Sequence, residues 1–243
     1  MASTGPRSRA ELEAIARAAE AQLRRAEFLR RLAQAPTAAP ETAVAQQVQP
    51  YIAISREAGV GAREVAQVLA QKTGFKIYDK ELLEFMAKEY KLPVSVLGTV
   101  DETTSNWFQD TVYRWLDRKA ISHEEYVHIL TETILLLACA EKCVFIGRGA
   151  QFILPRERGL AVRLVAPKRY RVQFVAESSG WSAADAERWV DRTDWARNQF
   201  IRTYFHADPN DPHIYDLVVD VGRFGPEKTA TLCEQAMRNL DLL

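Results

Sequence analysis

Cysteine is scarce in this chain: Cys139, Cys143 and Cys233 are the only three in 243 residues, at irregular spacing, which excludes a disulfide framework. No long hydrophobic run is present either. The most apolar stretch, Ile134 to Ala140, falls far short of the ~20 residues that span a bilayer. The N-terminus lacks the apolar core segment that a secretion signal carries. Neither charge sign is in excess, with 32 Lys and Arg against 32 Asp and Glu, so no overall field favours nucleic acid or a membrane surface. These absences lead to the expectation of a cytoplasmic protein with neither a membrane nor nucleic acid as partner. What remains is ordinary for a globular protein, 47% hydrophobic and 26% charged, in a chain long enough for one sizeable core or for a domain with an appendage.

The chain divides into three parts. Residues 1–36 hold an N-terminal amphipathic helix, read over 8–34, where Leu12, Ile15, Ala19, Leu23, Ala26 and Leu29 form an apolar stripe. Its other side carries the i,i+4 pairs Glu20–Arg24 and Glu27–Arg31. The helix is read either as a solvated tail or as a contact for self-association, for a partner protein or for the main domain. Residues 37–49 are an Ala/Pro-rich linker. From Pro50 to Leu243 strands and helices alternate. Strands are expected at Ile52–Ile54, Phe75–Tyr78, Val144–Ile146, Leu160–Ala166 and Leu217–Val221. Helices are expected at Arg63–Thr73, closed by Gly74, at Lys80–Tyr90, at 105–118, from a Ser122/Glu125 capping box through Glu141, after a Ser182/Asp185 cap, and from Pro226 onward. Repeated strand–helix units predict an α/β fold, a parallel sheet with helices on both faces.

Ile52–Ile54 runs into Ser55-Arg56-Glu57-Ala58-Gly59-Val60-Gly61-Ala62-Arg63 and then a helix. Glycines in such a turn let the backbone approach closely and aim its N–H groups inward, and the helix end adds positive potential, so the turn can cradle phosphate. Alone, the pattern is as consistent with a purely structural turn.

Its surroundings say more. The stretch Ile52 to Glu84 resembles the opening of the cytidylate-kinase-like family of P-loop proteins, of the nucleoside-monophosphate-kinase type. The resemblance continues in order through Asp101-Glu102, Ile121 to Tyr126, Phe145 to Ala150, Leu164 to Pro167 and Tyr215-Asp216-Leu217. It implies that Ser55, Arg56, Ala58, Gly59, Val60, Gly61, Ala62, Arg63 and Glu64 hold the donor nucleotide. It places Asp79 and Arg148 at the acceptor, and puts Asp191, Arg192, Asp194 and Arg197 in a lid whose arginines reach the transferring phosphates. Catalysis would then fall to Arg63, Arg192 and Arg197, with ATP as donor and Mg²⁺ expected. The chain also departs from the pattern. A P-loop of the form G-x-x-x-x-G-K-[ST] sets lysine on the phosphates and a hydroxyl on magnesium. Here Ala62, Arg63 and Glu64 follow Gly61, so both groups are missing. Arg63 can replace the lost charge from one residue along. The Glu-Gly-Arg-Asp of cytidylate kinases reads Ile146-Gly147-Arg148-Gly149, without either acid. The usual ligands of Mg²⁺ are therefore missing, and losses of this kind cost about 10²-fold or more each.

Several of these residues have plainer readings. Arg148 can cap a loop through backbone carbonyls, Asp79 can cap the following helix, and Arg188 and Arg192 can form a solvated ion-paired face. His206, Asp208, Asp211 and His213 fit turn chemistry better than a metal site, and no metal ligand is assigned. Two functions remain. One is a phosphotransferase moving the ATP γ-phosphoryl group to a nucleoside monophosphate or similar small acceptor. The other is a degenerate kinase-like nucleotide sensor or scaffold acting through its N-terminal helix.

Overall fold

The computed structural model describes residues 48–79 and 123–243. The N-terminal helix and most of its linker, the segments read as helical at 80–90 and 105–118, and Ser122 of the capping box lie outside the described residues.

Five strands, β1 (Tyr51–Arg56), β2 (Lys76–Tyr78), β3 (Cys143–Ile146), β4 (Gly159–Val165) and β5 (Leu217–Asp220), form one sheet in the order β2-β3-β1-β4-β5. Every pairing is parallel. The helices are α1 (Ala62–Thr73), α2 (His123–Ala140), α3 (Ala150–Ile153), α4 (Lys168–Ser179), α5 (Ala183–Phe205) and α6 (Val221–Asn239). Strand β1 runs beyond its apolar centre because Ser55 and Arg56 still pair with Arg163 and Leu164 of β4.

Alternation along the strands feeds two cores. Ile52, Ile54, Val144, Ile146, Leu160, Val162 and Leu164 point to one face, where α1 and α6 cover them through Val65, Leu69, Cys233 and Met237. Tyr51, Ala53, Cys143 and Phe145 point to the other, against Leu130, Ile134, Ile153, Ile201 and Phe205 of α2, α3 and α5. Helices therefore cover both faces, as the alternating pattern predicts.

Local signals set the helix ends. Gly74 closes α1 at φ 75°, with its N–H donating to Ala70 O at 2.9 Å. Ser182 Oγ accepts the Asp185 N–H at the start of α5. In α6 the helical path breaks at Gly225 (φ 71°) and resumes at Pro226, where the sequence places the helix start.

Candidate active site

The C-terminal ends of β1 and β3 lie side by side, and each opens into a glycine turn. After β1, Glu57 N donates to Leu164 O at 3.1 Å, which keeps the chain paired with β4 for one more residue before it turns. Gly59 and Gly61 then adopt φ of +74° and +77°, values that residues with a Cβ rarely take. Gly59 also lacks room: a Cβ there would sit 2.6 Å from Arg171 O and 2.8 Å from Val175. Gly61 is the N-cap of α1, so the N–H groups of Ala62, Arg63 and Glu64 open the helix without intrahelical acceptors. Together these N–H groups and the helix dipole make a region of positive potential. Glu64 brings an opposing charge, since its Oε2 lies 3.5 Å from where a Gly61 Cβ would be.

The loop is fastened from behind by a charged network. Arg171 of α4, almost fully buried, donates from Nε to Ala166 O at 3.0 Å and from Nη1 to Ala58 O at 3.1 Å. The same Nη1 lies 2.6 Å from Asp194 Oδ2, and Nε lies 3.2 Å from Glu57 Oε2. Asp194 Oδ1 in turn accepts the Ala58 N–H at 2.6 Å, while Glu57 Oε2 accepts the Ala166 N–H at 3.0 Å. Three elements are thus tied through one guanidinium. Charge-assisted bonds of this kind are roughly twice as strong as neutral ones. The sequence alone does not single out Arg171. The signal for it is an arginine one helical turn before Val175, on the buried side of α4.

The residues expected at the site are distributed as follows. Arg63 Nη2 pairs with Asp79 Oδ2 at 2.9 Å, so the donor-side arginine and the acceptor-side carboxylate meet directly. Ser55 Oγ accepts from Arg163 Nη1 at 2.9 Å and lies 3.2 Å from the Tyr215 hydroxyl, which ties it into the sheet. Burial raises the Tyr215 hydroxyl pKa, against the lowering effects of Ser55 and Arg163. Arg197 of α5 reaches back to Arg56 O at 3.4 Å. Arg192 lies five positions earlier, on another side of the helix. It is exposed and lines an open depression of about 830 Å³ with Trp181, Asp185, Arg188, Trp189 and Asp191.

After β3, Gly147, Arg148 and Gly149 all have positive φ, 83°, 57° and 71°. Gly147 N donates to Ile54 O at 2.8 Å, which locks this turn to β1. A Cβ on Gly149 would strike the Phe205 ring at 2.1 Å. The Arg148 guanidinium stacks on Phe200 of α5 at 4.8 Å.

Asp208 and Asp211 behave as turn residues, accepting the N–H groups of Asn210 and His213 at 3.2 and 2.9 Å. Among the described residues no group of three or more His, Cys, Asp or Glu is placed to hold a metal ion.

With this geometry, comparison with known proteins is specific. The sequence profile of the cytidylate kinase-like family matches residues 51–223. The cytidylate kinase of Thermococcus sibiricus is 26% identical over 190 residues, 78% of this chain and 88% of that enzyme. That of Pyrococcus furiosus is 24% identical over 191 residues, 78% of this chain and 89% of its own length. Among solved structures, an uncharacterized protein from Eubacterium ventriosum superposes with a TM-score of 0.60 at 23% identity, covering 79% of this chain and 98% of that one, which speaks to the fold. The chain belongs to the cytidylate kinase-like family.

Proposed function

We propose that this protein binds ATP on the glycine turn and transfers its γ-phosphoryl group to a nucleoside monophosphate or a similar small phosphorylated acceptor. The observation that carries this reading is the adjacency of two left-handed glycine turns, Gly59–Gly61 and Gly147–Gly149, joined by the Gly147 N–H to Ile54 O bond. One turn opens a helix and suits a polyphosphate; the other presents an arginine and suits the acceptor. The archaeal relatives, named as cytidylate kinases, support the same chemistry.

In this mechanism an acceptor phosphate oxygen attacks the γ-phosphorus while the bond to the β-bridging oxygen breaks and ADP leaves. The chain's part is positioning and charge neutralisation. Backbone N–H groups from Gly59 to Glu64 hold the donor, since the Ala58 N–H is already committed to Asp194. Arg63 meets the developing charge, its fork held by Asp79. Arg197 closes from α5, where it already reaches Arg56 O, and Arg148 holds the acceptor; Arg192, on another side of that helix, takes no part. Mg²⁺ accompanies ATP in such reactions. Arg63 stands where the usual loop has its hydroxyl and Asp79 is committed to Arg63, so the side chains fit a metal held by phosphate oxygens and water.

The test is ADP formation from ATP across a panel of nucleoside monophosphates. Turnover that depends on the acceptor is expected. Tight ATP binding without such turnover would shift the reading to the sensor or scaffold, and no nucleotide binding by calorimetry would sink both.

A further inference from the structure

Arg56 occupies the first position of the glycine turn, and the resemblance would give it, with the rest of the turn, to the donor. Its side chain goes elsewhere. A Cβ built on Gly147 would meet Arg56 Nη1 at 1.8 Å, Cζ at 2.8 Å and Nη2 at 3.2 Å. The guanidinium therefore lies against the Cα of Gly147, across the end of β3, while the Arg56 backbone stays in β1, paired with Leu164 and capped at its carbonyl by Arg197. The next residue after Gly147 is Arg148, whose own guanidinium rests on Phe200. Two half-buried guanidinium groups thus belong to the neighbouring ends of β1 and β3, Arg56 over the Cα of Gly147 and Arg148 on the Phe200 ring. Glycine at 147 serves both its φ of +83° and the space that Arg56 fills.

We infer that the Arg56 side chain belongs to the acceptor half of the site, where it and Arg148 form a two-arginine clamp for a phosphate monoester on the acceptor. The inference deepens the phosphotransferase reading and rests on it. Two guanidinium forks suit a dianion with three terminal oxygens, each fork taking a pair of oxygens. A neutral hydroxyl acceptor or a single carboxylate would leave one fork unused. The clamp thus selects acceptors that already carry phosphate and gives Arg56 a role in specificity separate from the donor cradle.

The experiment compares wild type with Arg56→Gln and Arg56→Lys by acceptor and ATP titrations, with calorimetry run alongside. Arg56→Gln is expected to raise the acceptor KM by about 10-fold or more, the usual worth of a charged hydrogen bond. The ATP KM is expected to stay within about threefold, because the backbone cradle remains. Arg56→Lys, which keeps the charge without the fork, is expected to fall between. A raised ATP KM with an unchanged acceptor KM would overturn the inference and return Arg56 to the donor. If wild type shows no turnover, that counts against the catalytic reading alone. Calorimetric titration with a nucleoside monophosphate and with inorganic phosphate then decides the clamp. Binding weakened in both variants supports it; equal binding in all three proteins, or none in wild type, overturns it.

Discussion

Arg63 and Asp79 show how one residue's role depends on a partner far along the chain. Asp79 is buried to 5% exposure and its carboxylate meets Arg63 at 2.9 Å, with the arginine more than one-third exposed. Replacing Arg63 with Ala removes a charge from the phosphate cradle and takes an ion-pair partner from a buried carboxylate. The expected result is a loss of turnover of about 10²-fold or more. It is accompanied by a destabilisation of about 1–3 kcal/mol in urea unfolding, part of which Asp79→Asn in the same chain should restore. Equal stability of the single and double variants would show that the pair carries no structural load. The family resemblance made both residues candidates, Arg63 at the helix start and Asp79 after the second strand. Their pairing was not legible, because it depends on α1 lying beside the end of β2. Arg56 was legible as a loop residue, but the path of its side chain over Gly147 was not.

At the level of elements, α4 and α5 act as a backing for the glycine turn. Arg171 bridges Glu57, Ala58 and Asp194, so the turn's shape is set by two helices more than 100 residues away in sequence. Arg171→Met is expected to cost up to about 3–5 kcal/mol, since it removes the buried cation shared by two partly buried carboxylates. Asp194→Asn keeps an oxygen for the Ala58 N–H and is expected to weaken ATP binding by less than Arg171→Met does; calorimetry on both variants would check the order. Gly59→Ala combines a left-handed φ with a 2.6 Å approach to Arg171 O, so a loss of at least about 1–3 kcal/mol is expected. The strands and most helices were legible from apolar alternation, glycine stops and caps. The network was not, because Glu57, Arg171 and Asp194 each resemble solvated surface charges when read singly.

Across the whole molecule, the segment that leads into β1 is fastened to elements far along the chain. Val48 is fully buried, its carbonyl accepts from Arg158 Nε at 2.9 Å, and Gln49 N donates to Ala138 O at 2.8 Å. A chain starting at Val48 is therefore expected to melt higher than one starting at Ile52; equal melting of the two truncations would refute this anchoring. Burial also pushes the Cys233 thiol up to about 12 and the Cys139 thiol up to about 11. Unfolded thiols ionise near 8.5, so the folded state holds protons that the unfolded state has released. Stability from these residues is complete below that value and declines as pH rises through the window up to the folded values, which urea midpoints measured across it would report. Strand β1, finally, sits between two neighbours that the chain reaches late: its partner Gly159 follows Tyr51 by about 110 residues. At the usual pace of synthesis, 5–20 residues per second, the first strand would wait roughly 5–20 s with both edges bare. During those seconds the Tyr51–Arg56 segment is a template for any other extended chain, which makes the newborn polypeptide, rather than the finished protein, the species most in need of a chaperone.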